Sequence, residues 1–310
     1  MQIINDIPLR GEPCCVALGF FDGTHTGHRR ILTSMRSYAQ QSGLLPCVFT
    51  FAQSPCAALG KSESQALRTY SQRLSDIGEI SGAQLCFAVD FMKYREMSAE
   101  KFADEVLIER MNAKAVFCGF NFHFGKGAAG NTQLLRERCE MHGTDVFITE
   151  PVCTGGEPIS SSRIRRMIAD GKVYAANALL AKPFSIPGAV VHGKENGRTV
   201  GIPTINQPLP DGFVVPRFGA YASFAVIGGR RYRAVTNIGV RPTVSGCGVN
   251  CETHILEPVS GELYGENVVT ELLWFERDER KFPDLDALAA QIHNDIDHIT
   301  QLGIYEKLGA

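Results

Sequence analysis

The chain has 310 residues, 44% of them hydrophobic and 21% charged, with a formal net charge of -2. That length suits roughly two domains, and the near-neutral balance excludes a global basic field that would draw the chain to nucleic acid or an anionic membrane. No apolar run approaches the roughly 18 residues of a membrane span. The start, MQIINDIPLRGEP, lacks the basic region and long apolar core of a secretory signal, so a cytoplasmic protein is expected.

Taken in chain order, CCVALGF reads as a buried strand, and GHRRILTSMRSYAQQSG as a helix with Ile31, Leu32, Met35, Tyr38 and Ala39 on one face and Gly43 as its stop. LPCVFTF, QLCFAVDF, AVFCGF and TDVFITE are further strands with helical segments before or between them. This alternation predicts a parallel sheet covered by helices. Beyond residue 182 the pattern changes. IPGAVVHG, YASFAVIGG, RRYRAVTNIG, NCETHILE and NVVTELLWFER are strand-like, with Gly228-Gly229 as a hairpin turn. An antiparallel barrel or sandwich is expected, closed by a helix with Leu285, Leu288, Ile292, Ile296 and Ile299 as its apolar stripe. The domains are thus read as 1–182 and 183–310. The ten cysteines sit in apolar runs without a C-x-x-C pair, which predicts reduced, mostly buried thiols.

Three stretches of the first half carry chemistry. GFFDGTHTGHRR follows a strand and opens a helix, where free N–H groups and the positive dipole end suit a phosphate. Gly19, Gly23 and Gly27 let the backbone come close, and His25 and His28 can donate hydrogen bonds as charge builds on a phosphoryl group. The bland alternative is a pair of solvated loop histidines. GKGAAG, Gly125 to Gly130, fits the dinucleotide fingerprint with Glu150 about 20 residues on, but NFHFG separates it from the preceding strand. ISSSRIRR sets hydroxyls and guanidinium groups at a helix start, which suits polyphosphate or else makes an N-cap and a solvated basic face.

GFFDGTHTGH resembles the flavin-adenylating branch of the nucleotidyltransferase superfamily, whose signature is His-x-Gly-His. The resemblance implies a Rossmann-like first domain in which His25 and His28 stabilise the α-phosphate of ATP, and Gly19, Phe20, Asp22 and Gly23 belong to the ATP site. GFNFHFGKGAAGN resembles the pattern G-[ND]-F-x-F-G-x-x-x-x-G, which implies Asn121 as an ATP contact and Phe122 and Phe124 as pocket walls. ISSSRIRR resembles I-S-S-[TS]-x-I-R, which implies Ser161, Ser162 and Arg165 as triphosphate ligands. One departure stands out. Where this branch usually carries T-F-D-P-H-P, the chain has TFAQSPC, so Ala52, Gln53 and Ser54 replace an acid, a proline and a histidine.

In the second half, GRTVGIPTINQ sets Thr204 and Asn206 on the same side of an extended segment. Such a pair of hard oxygens can hold hydrated Mg²⁺ and its phosphates. With VVHGKENGRTVGIPTIN, FGAYASFAV, TNIGVRPTV, CETHILE and ELYGE, residues 183–310 resemble the riboflavin kinase family in order and spacing. The resemblance implies a compact antiparallel β-barrel with a phosphate loop over Gly193, Gly197 and Gly201. It further implies Thr204 and Asn206 as metal and phosphate ligands, Glu252 as general base, and a flavin pocket helped by Arg277 and Phe282 from RDERKF. His254, on the face of Glu252, is read as structural.

Taken together, the two halves resemble the bacterial bifunctional riboflavin kinase/FMN adenylyltransferase (FAD synthetase) family. They imply riboflavin, FMN, FAD and ATP as substrates and products, Mg²⁺ as cofactor, and no nucleic acid or membrane partner, with oligomeric state left open. The competing readings are a kinase with a weakened adenylyltransferase half, motivated by AQSP, an NAD-dependent dehydrogenase using Gly125–Gly130, and a non-catalytic flavin-binding protein.

Overall fold

The structure is a computed structural model and describes residues 1–60, 65–193, 201–243 and 246–308. The chain divides into two compact units, Met1–Ser161 and Ser162–Ala310. The first contains β1 (Gln2–Ile4), β2 (Cys14–Leu18), α1 (Thr26–Ser42), β3 (Leu45–Phe51), α2 (Tyr70–Ser81), β4 (Leu85–Val89), β5 (Ala113–Gly119), α3 (Thr132–Glu140), β6 (Asp145–Thr149) and a small ribbon of β7 (Cys153–Thr154) and β8 (Glu157–Pro158). Six strands form one parallel sheet in the order β1-β4-β3-β2-β5-β6. Strand side chains alternate between faces. Cys15, Ala17, Val48, Cys86 and Phe117 pack under α1 and α2. Val16, Leu18, Phe49 and Val116 face the helical run Ala99–Arg110 and α3.

The five strands read from the sequence are all present. So is the helix after the first, with Ile31, Leu32, Met35 and Ala39 buried and Gly43 closing it at φ 67. The three-residue strand β1, the β7–β8 ribbon and the π-helical turns of Phe102–Arg110 were not anticipated. The dinucleotide fingerprint is corrected here. Gly125 to Gly130 do not join a strand to a helix; they close a loop through the Phe124–Gly130 bridge. A Cβ on Gly125 would stand 2.6 Å from the Ala99 backbone, and one on Gly130 2.6 Å from the Ala99 side chain. Close packing against the start of a helix explains these glycines without a dinucleotide.

From Ser162 the second unit holds the rest of α4 (Ser161–Ala169, its first residue belonging to the first unit) and α5 (Val173–Asn177), and continues through β9 (Ser185–Ala189), β10 (Thr204–Pro208), β11 (Gly219–Ile227), β12 (Arg230–Thr243), β13 (Gly246–Ile255), β14 (Asn267–Asp278), α6 (Leu285–Gln301) and α7 (Ile304–Leu308). Packing groups the segment 162–182, which the sequence reading assigned to the first domain, with the barrel. Asn177 ties it there, donating Nδ2–H to the Leu272 carbonyl at 2.8 Å and accepting from Phe184 N at 2.8 Å. The sheet order is β10-β13-β12-β11-β14-β9, antiparallel where its strands pair. Its two end strands meet where Val191 N donates to the Asn206 carbonyl, which closes the barrel. The β11–β12 hairpin turns on Gly228 and Gly229 at φ 55 and 83, the left-handed pair that a tight hairpin requires.

Two features depart from expectation. The stripe of α6 is buried unevenly: Ile299 is fully buried, whereas Leu285 is 38% exposed. A buried acid, Asp295, sits in that helix and takes the Arg277 guanidinium through Nη2 at 2.8 Å. The barrel interior is also partly polar. Ser223, Thr236 and Thr253 form a hydroxyl chain at 2.7 and 2.9 Å. Fully buried Gln207 accepts from Thr270 at 2.7 Å and donates to the Val268 and Gly188 carbonyls at 2.7 and 3.0 Å. All nine cysteines whose side chains are described are free thiols; seven are buried, and Cys56 and Cys153 are exposed. A satisfied buried network contributes little net but is costly to break. Gln207→Leu should therefore destabilise the second unit by about 3 kcal/mol, read as a lowered transition in thermal or urea unfolding, while the first unit's transition stays in place.

Candidate active sites

In the first unit, β2 ends at Leu18 and the chain turns sharply before α1. Gly19 donates its N–H to the Phe49 carbonyl at 3.2 Å, and a Cβ there would come within 2.8 Å of the Phe21 ring. Phe21 and Thr24 hold left-handed backbone conformations at φ 56 and 39, with Gly23 between them at φ 76. For residues other than glycine that conformation costs free energy and has to be imposed by neighbours. His25 is the N-cap of α1; its Nδ1 accepts the His28 N–H at 3.4 Å. The two imidazoles stack at 3.7 Å between centroids, and the Phe21 ring meets His28 edge-on at 5.3 Å. His25 is 6% exposed. His28 Nδ1 is buried and has no hydrogen-bond partner among the described residues. Burial, with His25 as a second cause, holds the His28 pKa well below the ordinary 6.5.

This loop opens on a cavity of about 800 Å³. Gly19, Phe20, His28 and Asn121 line it together, and Phe49, Phe51, Phe91, Tyr94, Phe122 and Phe124 give it an aromatic wall. Other expected residues stand elsewhere. Asp22 is buried, and its carboxylate accepts from the Leu67 N–H at 3.1 Å and the Arg68 N–H at 3.3 Å, so it braces the loop from below. Ser161 donates its hydroxyl to the Asp22 carbonyl at 2.9 Å. Ser162 is exposed and Arg165 half-buried, both on α4 in the second unit.

The sequence reading missed the residues beneath this loop. Thr24 donates its hydroxyl to Asp76 Oδ2 at 3.3 Å, and Asp76 pairs with Arg68 at 3.2 Å, both side chains under 5% exposed. Arg73, only 2% exposed, donates to the Phe20 carbonyl at 2.9 Å, Thr50 Oγ1 at 2.8 Å, and the Phe51 and Ala52 carbonyls at 2.8 and 3.1 Å. Burial lowers its pKa and the Asp22 carboxylate opposes that. The signal was legible: Arg73, Ile77 and Ser81 recur at i, i+4 and i+8 on the buried side of α2, and a charge within such a stripe needs a partner.

In the second unit the site is set by strand register. β10 and β13 pair Asn206 with Glu252 and Thr204 with His254, and β12 sets Asn237 beside Glu252. Directly paired residues share a sheet face. Asn250 bridges that face, donating to Asn206 Oδ1 at 2.9 Å and Glu252 Oε1 at 3.3 Å. Asn206 is buried and Glu252 exposed. A Cβ on Gly193 would lie 2.4 Å from Asn206 Nδ2, so the chain there presses on the amide. Gly201 (φ 77) and Thr204 line a cavity of about 540 Å³ with His254 and Tyr264. The His254 ring donates Nδ1–H to the Pro203 carbonyl at 2.8 Å; a carbonyl can only accept, so that nitrogen carries the proton. Gly197 lies outside the described residues. Arg277 and Phe282 are together, the guanidinium 5.7 Å from the ring, but Asp295 holds that guanidinium.

Comparison with known proteins fits both halves. The family described as FAD synthetase matches residues 8–163, and that described as riboflavin kinase matches 180–302. The chain is 35% identical over 287 residues to the bifunctional riboflavin kinase/FMN adenylyltransferase of Escherichia coli (strain K12), covering 92% of this chain and 91% of that protein. It is 33% identical to the protein so described from Pseudomonas fluorescens, covering 96% of each. A solved structure from Streptococcus pneumoniae, titled a macrolide-efflux protein, superposes with a TM-score of 0.85 at 31% identity, covering 97% of this chain and 98% of that one. Among the described residues no helix of this chain is long and apolar enough to cross a membrane. Neither a weakened first half nor a dehydrogenase finds support in these matches.

His28 gives a pH test. Its folded pKa lies below the ordinary 6.5, so below that pH the unfolded chain takes up a proton that the folded chain refuses. Stability of the first unit should fall as pH drops from about 7.5 to about 5.5, with a limiting slope near 1.4 kcal/mol per pH unit. Melting His28→Asn beside the wild type across this range should show a flatter pH dependence in the variant.

Proposed function

The chain belongs to the family of bifunctional riboflavin kinase/FMN adenylyltransferases, and we propose that it catalyses both reactions. Residues 1–182 carry adenylyl transfer and 183–310 carry phosphorylation. The observation behind the reading is one chain with two phosphate-suited sites: a stacked histidine pair opening α1, and a carboxylate in register with a buried amide on the barrel.

In adenylyl transfer, an FMN phosphate oxygen attacks the α-phosphorus of ATP. A new P–O–P bond forms, the bridge to the β-phosphate breaks, and pyrophosphate leaves. The nucleophile is already anionic, so the protein's task is orientation and charge stabilisation. His28, which lines the cavity and whose Nδ1 is unpartnered among the described residues, supplies a hydrogen bond to the reacting phosphate. His25 caps the helix and stacks on His28, which fixes both rings. The start of the 17-residue α1 adds its dipole. Gly19, Phe20, Gly23 and Asn121 shape the ATP site, Asp22 holds the loop, and Ser161, bonded to the Asp22 carbonyl, serves the triphosphate.

In phosphorylation, Glu252 takes the proton of the ribityl 5′-hydroxyl as that oxygen attacks the γ-phosphorus and ADP leaves. Its exposure suits a group that must release the proton to solvent. Thr204 and Asn206 fit Mg²⁺: both offer neutral hard oxygens, and the ion prefers few protein ligands. Mg²⁺ when bound would neutralise charge on the phosphate oxygens. Asn250 orients both Asn206 and Glu252. Gly193 and Gly201 serve the phosphates, and Arg277 and Phe282 frame the flavin side. Both reactions are cytoplasmic and need no nucleic acid or membrane.

Chromatographic product analysis with MgATP tests the assignment. Glu252→Gln should lower FMN formation from riboflavin about 100-fold or more, with FAD formation from added FMN within twofold of wild type. His28→Ala should do the reverse, by about 100-fold. Variants that retain both activities would overturn these roles.

A further inference from the structure

Arg73 lies on α2, below the histidine loop, outside every motif that carries the family resemblance, and does not line the large cavity. Its guanidinium uses all four terminal N–H bonds. One nitrogen holds the Phe20 carbonyl and Thr50 Oγ1; the other holds the Phe51 and Ala52 carbonyls. The Thr50 hydroxyl donates in turn to the Phe20 carbonyl at 3.3 Å, and the Phe20 ring lies 4.2 Å from the guanidinium carbon. One buried cation thus joins the loop that presents His25 and His28 to the end of β3. Phe20, Thr50 and Phe51 all line that cavity.

We propose that Arg73 is a positioning residue for adenylyl transfer: its planar fork sets the separation of the histidine loop and the β3 end, and so the placement of the reacting phosphates. The inference rests on the adenylyltransferase reading above. Two features make it more than a structural tie. First, the loop it grips is strained, with Phe21 and Thr24 left-handed; a loop held against its own preference shifts when a holder is removed. Second, the grip is on main-chain carbonyls at Phe51 and Ala52. It therefore does not depend on the side chains of Ala52, Gln53 and Ser54, which stand where the resemblance would put an acid, a proline and a histidine. Arg73 itself touches neither substrate nor reacting atom; it acts through Phe20 and the histidines beyond it. A lysine keeps the charge, but its single nitrogen has three donors and no fork, so it cannot hold four acceptors in two directions.

The test uses the full chain, with the kinase reaction as internal control. Wild type, Arg73→Lys and Arg73→Gln are assayed for FAD formation from FMN and MgATP, and for FMN formation from riboflavin, well below the first unfolding transition. Folded fraction is measured by circular dichroism in the same buffer. Arg73→Lys should lose about 10- to 100-fold in kcat for FAD formation, with KM for ATP changed less than threefold and FMN formation within twofold. Arg73→Gln should lose at least as much. Normal kcat in folded Arg73→Lys would overturn the proposal. So would a loss of FAD formation in either variant that only follows its unfolded fraction, since that is a structural role alone. Failure of the wild type to form FAD would instead overturn the adenylyltransferase reading.

Discussion

The first site depends on a loop held in a conformation that its own residues disfavour. Phe21 and Thr24 both sit at positive φ, and although the Thr24 N–H closes a turn onto the Phe21 carbonyl at 3.2 Å, the cost calls for support from outside the loop. The compensation comes from α2 and the residues leading into it. Asp22 caps the amides of Leu67 and Arg68, Asp76 takes the Thr24 hydroxyl, and Arg73 takes the Phe20 carbonyl. Two acids and two bases are buried together there, a costly arrangement unless each charge meets partners. The result is rigid presentation of a stacked imidazole pair at a helix start. His28 lines the cavity at that start, its pKa held below the ordinary 6.5 by burial and by the stacked His25.

The second site is governed by a different constraint. Its geometry comes from the register of an antiparallel barrel, in which a one-residue slip would turn Glu252 away from Asn206. Register there is pinned from the inside. The hydroxyl chain through Ser223, Thr236 and Thr253 and the fully bonded Gln207 make any slipped pairing leave buried polar groups unmatched. The buried Arg277–Asp295 pair anchors the closing helix to β14 in the same way. An interior with polar ladders is less forgiving than an all-aliphatic one, and that lack of tolerance suits a barrel whose outer face must align an amide and a carboxylate.

Much of the fold was legible because its signals are local. Apolar runs flanked by helical periods gave the parallel sheet, and Gly228-Gly229 gave the hairpin. The His-x-Gly-His loop and the Thr204–Asn206 pair were legible for the same reason, since residue type and spacing within a dozen positions carry them. Elements with weak local signals escaped: a three-residue β1, a two-residue ribbon, and the wide turns of Phe102–Arg110. Gly125–Gly130 shows the converse failure. A pattern with the right letters came from close packing on Ala99, because glycine serves any close approach and not one ligand alone.

The sequence by itself determined that two units of different class are present and which residue types lie near one another along the chain, with the boundary read at 182/183 where packing divides the chain at 161/162. Only the tertiary structure decided which side chains meet. Arg73 reaches Phe20 across 53 positions, Ser161 reaches Asp22 across 139, and Asn250 reaches Asn206 across 44. The same holds for Asp22, whose carboxylate turned out to brace the loop, and for Arg277, which is held by Asp295. The reason is physical: local spacing fixes which face of a helix or strand a residue occupies, whereas the partner of a buried charge is chosen by packing, through the need to satisfy every desolvated donor and acceptor at once.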